Sequence, residues 1–266
     1  QCHADGTPFG NSNASDGEAY FATALFLAAH RWDNKQYEED ALDILHRTMT
    51  KDCKQGVWNL YDSATHIITF VPTDDAHLYT DPSYQLPAFT DMWARWDEER
   101  ADFWTEASPA ARRQLRIASH PVTGLYPDYS TYEGEPFRGP FCGYDSRRFQ
   151  YDAIRCTMNV GMDYYLFGAD REAQRETMKR ILTFFKQDGF THGQFEVDGS
   201  DPTGNYTIGM TGANAVGSIA LEDGELKRQY IEMLWNARPP QGKWRYYEGM
   251  VYMLSMLHVS GNFRIY

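Results

Sequence analysis

Helical segments that are apolar nearly all round alternate with amphipathic ones along this chain, and that alternation constrains its fold more than any other feature. Residues 17–32 carry apolar side chains on almost every face, whereas residues 37–50 keep Ala41, Leu45 and Met49 on one face. A helix that is apolar all round is covered on most sides, and an amphipathic helix covers the outside of a core. The alternation therefore predicts an all-α fold with an inner and an outer layer of antiparallel helices.

The same pattern continues to the end of the chain. Further helical patterns cover 83–96, 97–106, 109–119, 146–168, 170–189, 208–221, 223–238 and 246–261, and strand-like pieces are confined to 66–72 and 194–199. An α/α barrel is the natural closure of two such layers, with an irregular bundle or a solenoid as the alternatives. No repeat of fixed length supports a solenoid. Because no linker or change of composition divides residues 1–266, we predict one domain.

Charge and motif content exclude several classes of function. The net charge of −12 argues against a nucleic-acid partner, and no apolar run is long enough to span a membrane. The four cysteines are scattered and no H-E-x-x-H motif occurs, so we expect no metal site, and no nucleotide-binding loop suggests a cofactor. Aromatic residues make up 15% of the chain, which permits a groove for a neutral, hydroxyl-rich ligand. The sequence specifies neither the compartment nor the oligomeric state.

Two acidic stretches coincide with predicted helix starts. In "NASDGEAYF", Ser15 and Glu18 have the spacing of a capping box, and Asp16 lies in the first turn. That capping pattern accounts for Asp16 and Glu18. The start of an inner helix is also the rim of a barrel cavity, however, so Asp16 could serve a functional site as well. In "DPSYQLPAF", Asp81 is a predicted N-cap and Tyr84 lies in the first turn, where it could serve the core or a site.

Asp152 is the acid that capping does not explain. The pattern of 146–168 predicts a helix with Asp145 as its N-cap, which puts Asp152 two turns inside, beside Phe149 and Cys156. A charge on such a face is costly unless it is paired or used. Arg155, three residues later, could pair with it. Asp152 is therefore either one half of a structural ion pair or a catalytic carboxylate, and the two roles are compatible.

Four stretches in order resemble glycoside hydrolase family 8. The stretch "ASDGEAYFATALFLAAHRW" is similar to the family's A-[ST/P]-D-G-[DE] signature and the apolar helix after it. The stretches "TDPSYQLPAFTDMWARW", "YDAIRCTMNVGMDYYLFG" and "GKWRYYEGMVYMLSMLHVSGNFRIY" resemble the xylan-active branch, which includes reducing-end xylose-releasing exo-oligoxylanases. The likeness runs from about residue 3 to the C-terminus.

This resemblance implies an (α/α)6 barrel that hydrolyses β-1,4-linked sugars, xylan or xylo-oligosaccharides, with inversion of configuration. It implies that Asp152 is the general base, that Tyr84 helps to hold the attacking water, and that Asp16 grips the sugar at the cleavage point. Three further positions match residues on the substrate side of the family's site: Tyr151, Arg155 and Tyr247. Inversion needs a carboxylate on the far side of the sugar with room for a water.

The sequence departs from the family at its beginning. The family's general acid is a Glu in a T-E-G-x-S-Y-G-like motif upstream of the D-G-[DE] signature, and no such motif occurs here. The chain is then either an N-terminally incomplete piece of a full enzyme or a natural truncation. We expect the former, with the acid upstream of Gln1, because a barrel without its opening helices would leave apolar faces exposed. The stretch "DPTGNYTIGM" lacks the His of the kink that exo-acting members carry, so endo and exo action both stay open.

Three other functions stay open at this point. One is a non-catalytic saccharide-binding remnant that relies on the aromatic groove. Another is a family 8 enzyme acting on a different β-1,4-glycan. A sugar epimerase on an α/α barrel is the third, but such enzymes place paired histidines at the barrel mouth, and the sequence shows no such pair.

Overall fold

The computed structural model of the chain describes residues 3–7, 13–54, 56–140 and 142–266. Within these ranges the regular structure is helical, and paired extended backbone is limited to isolated bridges such as Phe149 with Phe195. The strand-like pieces 66–72 and 194–199 therefore belong to loops. The α-helices of the described ranges are α1 (Ser15–Trp32), α2 (Lys35–Met49), α3 (Pro87–Trp96), α4 (Ala101–Ile117), α5 (Arg155–Leu166), α6 (Arg171–Gln187), α7 (Ile208–Gly217), α8 (Glu225–Asn236) and α9 (Tyr247–Val259).

Odd-numbered and even-numbered helices form two layers. Helix α3 packs between α1 and α5, and α7 packs between α5 and α9, which makes the odd helices one continuous inner layer. Each of α2, α4, α6 and α8 packs against the odd helix that precedes it. Burial is greatest in the middle of the inner layer, where ten of the twelve residues of α5 and nine of the ten residues of α7 are buried, against three of the fifteen in the outer helix α2. The predicted all-α, two-layer α/α-barrel architecture is confirmed.

A glycine sets the close approach of two inner helices. A Cβ added to Gly161 of α5 would lie 2.1 Å from the carbonyl oxygen of Val216 in α7. Backbone cannot move out of the way as a flexible side chain can, so this contact requires a residue without a Cβ. The inner layer is therefore held at a separation that larger residues would not permit.

Two of the predicted helices begin later than the sequence pattern suggests. In place of 83–96, a 3-10 turn over Pro82–Tyr84 precedes α3. In place of 146–168, a 3-10 turn over Tyr151–Ile154 precedes α5, and the backbone before it is extended. The predictions of 97–106 and 109–119 as separate helices were also wrong, because α4 continues through Pro109.

The caps differ in the same way. The predicted capping box of Ser15 and Glu18 was wrong, since Ser15 is the first helical residue and its hydroxyl donates to the carbonyl of Phe70. The Glu18 carboxylate accepts from the Asn13 amide instead. Asp81 does cap its turn by accepting from the Ser83 amide, as predicted. Within the described ranges, no helix combines the length and the hydropathy that a bilayer crossing requires.

Candidate active site

The inner helices bring their N-terminal ends together at one end of the bundle. Asp16 at the start of α1 contacts Arg155 at the start of α5, which lies 139 positions later in the chain. At the start of α9, Glu248 accepts from the backbone N–H of Gly209 at the start of α7. Helices that alternate in direction between two layers run parallel within each layer, so the first turns of the inner helices share one end. That end carries the predicted site.

Arg155 is the charged centre of this end. Its guanidinium donates to the Asp16 carboxylate at 2.5 Å and to the Ser83 hydroxyl at 3.0 Å, and it pairs with the Asp152 carboxylate at 3.0 Å. Burial opposes the charge of Arg155, yet the negative charge of Asp152 and then those of its other neighbours raise its pKa well above the usual range. One buried arginine thus connects three of the segments that the sequence predicted to be functional.

Asp152 lies in the 3-10 turn over Tyr151–Ile154, so the prediction that it lies two turns inside a helix was wrong. The turn over Tyr151–Ile154 begins with Tyr151 at a φ of 41°, and Asp145 is not its cap, because the Asp145 carboxylate binds Arg147. One carboxylate oxygen of Asp152 accepts from the Tyr247 hydroxyl at 2.9 Å, and the other faces Arg155. The predicted ion pair with Arg155 is confirmed.

Tyr84 lies behind this pair with its ring buried. The guanidinium carbon of Arg155 is 5.5 Å from the ring centroid, and Phe70 stacks on the ring from farther away. Burial raises the pKa of the Tyr84 hydroxyl, and the negative charges of Asp81 and Asp16 raise it further. The hydroxyl therefore stays protonated and can donate a hydrogen bond. Tyr84 is thus a core residue that also contacts Arg155.

An open cavity of about 780 Å³ lies beside Asp152. This volume is in the range of roughly 300–1,000 Å³ that small-molecule sites occupy. Its lining includes the predicted residues Tyr151, Asp152 and Tyr247. The Tyr151 side chain is half exposed and packs edge-on against Tyr144. Polar side chains and aromatic rings line the cavity together, which suits a sugar, since aromatic faces stack on C–H groups while polar groups bind hydroxyls.

Sequence reasoning missed several residues of this region. Asn205 and Gln241 line the cavity from loops that carry no periodic signal, and Trp244 lines it from the 3-10 turn over Gly242–Arg245. Ser83 and Trp244 lie within stretches that resemble the family, but the local sequence indicated no role for either. Among the described residues, no group of three or more His, Cys, Asp or Glu side chains could hold a metal ion.

Two buried carboxyls lie beneath the site. Burial raises the pKa of Asp81 well above its usual range, and the charges of Asp152 and Asp128 add to the effect. The pKa of Asp128 rises to about 7, first through burial and then through the charge of Asp152. The sequence offered only one signal for Asp128, an acid flanked by aromatics in "LYPDYS". Acids so close to Asp152 are a feature that the tertiary structure alone reveals.

A family model and several proteins match this chain. The model of glycosyl hydrolases family 8 matches residues 5–261. A reducing end xylose-releasing exo-oligoxylanase from Halalkalibacterium halodurans is 34% identical and is matched by the whole of this chain, which covers 69% of that protein. A more distant relative, Endoglucanase C from Ruminiclostridium cellulolyticum, is 24% identical over 94% of this chain and 52% of its own length.

Solved structures agree with these relatives. The crystal structure of a family 8 xylobiose complex from Teredinibacter turnerae has a TM-score of 0.91 at 34% identity, and the match covers 99% of this chain and 70% of that one. The structure of an exo-oligoxylanase from Paenibacillus barcinonensis complexed with xylose has a TM-score of 0.90 at 34% identity, over 100% of this chain and 71% of that one. Both the sequence and the fold are therefore similar to those of family 8 glycosyl hydrolases.

Proposed function

Because the chain belongs to glycosyl hydrolases family 8, we propose that it hydrolyses β-1,4-xylosidic bonds in xylan or xylo-oligosaccharides with inversion of configuration. The chain is a glycoside hydrolase. The names of its relatives support xylose-based substrates, since one is an exo-oligoxylanase and another was solved as a xylobiose complex. We assign the general base to Asp152.

The single observation that carries this proposal is the arrangement around the Asp152 carboxylate. Its two oxygens have different partners, Arg155 and Tyr247, which fix its orientation at the wall of the cavity. Its side chain is still 35% exposed, so a water molecule can reach it from the cavity side. A general base needs this combination of fixed geometry and access to the proton it removes.

Asp16 and Tyr84 support the base from the other side of Arg155. Asp16 shares the guanidinium, and its other carboxylate oxygen, which makes no hydrogen bond within the described ranges, would accept a sugar hydroxyl in our proposal. Tyr84, whose raised pKa keeps its hydroxyl protonated, would hold the attacking water. Tyr151 offers a half-exposed ring to the substrate. These roles follow the resemblance to the family and stay predictions.

Inversion also needs a general acid, because a sugar alkoxide is a poor leaving group without a proton. We assign this acid to none of the residues described here. A β-fluoride leaves without protonation, so its displacement by water needs the base alone. Hydrolysis of the β-fluoride therefore reports on the base alone, whereas hydrolysis of the oligosaccharide needs both the base and the acid.

The test compares Asp152→Asn with the unaltered protein on xylohexaose and on β-xylobiosyl fluoride. We expect the variant to lose about 10²–10⁴-fold in kcat, since that is the typical contribution of general acid–base catalysis, while binding persists. Asp145→Asn is the matched control, because Asp145 lies in the same segment and pairs with Arg147 outside the cavity. If Asp152→Asn retains ordinary turnover on both substrates, Asp152 is not the base.

Proton NMR during the first minutes of hydrolysis decides the stereochemistry. A β-linked substrate attacked directly by water gives the α-anomer first. A β-anomer as first product would refute inversion. Xylohexaose binding with neither sugar nor fluoride release would favour a saccharide-binding protein instead.

The endoglucanase relatives favour a second candidate, hydrolysis of another β-1,4-glycan. Parallel assays on xylohexaose and cellohexaose distinguish the two. The size pattern of early xylohexaose products separates endo action from release of single reducing-end xylose.

A further inference from the structure

Glu248, in the first turn of α9, lies where three segments meet at the wall of the cavity. The cavity is lined from the turn of Asp152, from the start of α7 and from the start of α9. The Glu248 carboxylate accepts from the backbone N–H of Gly209 at 2.7 Å, across 39 positions of the chain. The residue before it, Tyr247, donates its hydroxyl to the Asp152 carboxylate at 2.9 Å. The residue that holds the proposed base therefore adjoins the residue that binds α7.

The backbone N–H of Gly209 needs an acceptor from outside its own helix. Gly209 lies in the first turn of α7, where backbone N–H groups have no carbonyl one turn earlier to bind. The next amide, that of Met210, binds the side chain of the cap residue Thr207. Glu248 serves Gly209 from a different helix, and its negative charge suits the N-terminal end of α7. Hydrogen bonds to a charged group are stronger than those between neutral groups, so this contact is a specific attachment of α9 to α7.

Gly209 also lies against the turn that carries Asp152. A Cβ added to Gly209 would lie 3.2 Å from Cδ1 of Ile154 and 3.5 Å from the carboxyl carbon of Glu248. Ile154 is the last residue of the turn over Tyr151–Ile154. Glycine therefore lets this turn and α9 both approach the start of α7. The contacts form a closed circuit, in which the turn of Asp152 packs on α7, α7 binds Glu248, and Tyr247 returns to Asp152.

We propose that Glu248 is a positioning residue for the proposed base and acts through Tyr247. By attaching the first turn of α9 to α7, Glu248 fixes the Tyr247 hydroxyl at the Asp152 oxygen that does not face Arg155. Glu248 contributes a hydrogen-bond acceptor in this role and takes no part in proton transfer. The catalytic part of this inference rests on the proposed function, but the attachment of Glu248 to Gly209 does not.

Amide hydrogen exchange measured by NMR tests the attachment without any substrate. In Glu248→Ala the Gly209 amide loses its acceptor, and its exchange should become about 10-fold faster. In Glu248→Gln the side-chain oxygen can still accept, so exchange should stay within about 3-fold of the unaltered protein. Equal exchange rates in Glu248→Ala and the unaltered protein overturn the inference.

Kinetics on β-xylobiosyl fluoride test the action through Tyr247, because this substrate needs the base alone. Glu248→Ala should lower kcat about 10-fold with little change in KM, and Glu248→Gln should restore it to within about 3-fold of the unaltered protein. Added to Tyr247→Phe, Glu248→Ala should cost no more than about 2-fold, because the hydroxyl that it positions is already gone.

Asn34→Ala is the matched control for a lost helix cap. The Asn34 side chain accepts from the Gln36 amide at the start of the outer helix α2, and neither residue lines the cavity. Its loss should lower the melting temperature about as much as Glu248→Ala does, and it should leave kcat unchanged. If Asn34→Ala lowers kcat as much as Glu248→Ala does, the kinetic effect follows from reduced stability and the positioning role fails.

The remaining outcomes separate this inference from the proposed function. An unchanged kcat in Glu248→Ala refutes the positioning role, and so does an equal loss with and without the Tyr247 hydroxyl. A loss in Glu248→Gln as large as in Glu248→Ala also refutes it, because the carboxylate itself is then required. If the Gly209 amide responds as expected but the unaltered protein releases neither sugar nor fluoride, the proposed function fails and the attachment stands. Should Glu248→Ala not fold, Glu248→Met removes the acceptor while keeping most of the side chain, and the same comparisons apply.

Discussion

Removing the guanidinium of Arg155 is the perturbation for which the structure predicts the largest combined effect on stability and catalysis. Arg155 is buried and binds Asp16, Ser83 and Asp152. In Arg155→Met the side chain keeps much of its length but loses the charge. Both carboxylates then stay in place without their cation, and the Ser83 hydroxyl loses its donor.

The magnitude follows from the burial of the partners. Removing one member of a buried ion pair costs about 3–5 kcal/mol, because the other charge stays buried and unpaired. The Asp152 side chain is 35% exposed and water can screen it, so we expect the lower end, about 3 kcal/mol. At about 2–4 °C per kcal/mol for a chain near this size, the melting temperature should fall by about 6–12 °C.

Catalysis should change with a definite sign. Arg155 holds one oxygen of the Asp152 carboxylate and Tyr247 holds the other, so Arg155→Met removes one of the two contacts that orient the proposed base. Because a misplaced catalytic group costs on the order of 10²-fold, kcat on β-xylobiosyl fluoride should fall about 10- to 100-fold.

Thermal unfolding by circular dichroism and kinetics on β-xylobiosyl fluoride measure the two effects. Arg147→Met is the matched control, since Arg147 is 52% exposed and its ion pair within the described ranges is with Asp145, and it should change stability by less than about 0.5 kcal/mol. An unchanged melting temperature together with an unchanged kcat in Arg155→Met would refute the idea that Arg155 holds the two carboxylates.

Three more perturbations test other parts of the structure. Tyr247→Phe removes the hydroxyl that binds Asp152 and should lower kcat about 10-fold with KM little changed, whereas Tyr252→Phe on the same helix should not. Burial lowers the pKa of His258 to about 4 from an ordinary value of 6.5, so the unfolded chain binds the proton first as pH falls. The free energy of unfolding, measured in urea, should therefore decrease between pH 6.5 and pH 4, by about 2 kcal/mol at pH 5. His258→Gln should flatten this pH dependence. Gly161→Ala puts a Cβ against the Val216 carbonyl and should cost more than about 2 kcal/mol by chemical denaturation. In Gly17→Ala the added Cβ meets no atom of the described residues within 4 Å, so this control should be neutral or slightly stabilising.

The sequence predicted the parts of this site that depend on neighbours along the chain. Asp152 and Arg155 lie three residues apart, which is enough to predict their ion pair. The Asp81 cap follows from an Asp-Pro pair at the start of a turn. The Ser15 cap failed because its hydroxyl binds Phe70, whose loop packs over the start of α1, and no local pattern contains that loop.

Boundaries failed where loops rather than periodicity set the backbone. The pattern of 146–168 predicts one continuous helix, yet Phe149 pairs with Phe195 as extended backbone and delays helical structure to Tyr151. This delay moves Asp152 from inside a helix to the edge of a cavity. A hydrophobic residue supplies the same local signal in an extended core segment as in a helix, so periodicity alone does not distinguish them.

By itself the sequence determined the two-layer helical architecture, since helices that are apolar nearly all round alternate with amphipathic ones along the chain. The family motifs also sufficed to name Asp16, Tyr84 and Asp152 as site residues, whose roles stay predictions. Only the tertiary structure decided which groups meet. The parallel inner helices bring Tyr247 to Asp152 across 95 positions, and the buried segment of Asp128 places a second carboxyl beneath the proposed base. Such polar contacts depend on how closely and in what register helices pack, and each local stretch of sequence is compatible with many such packings.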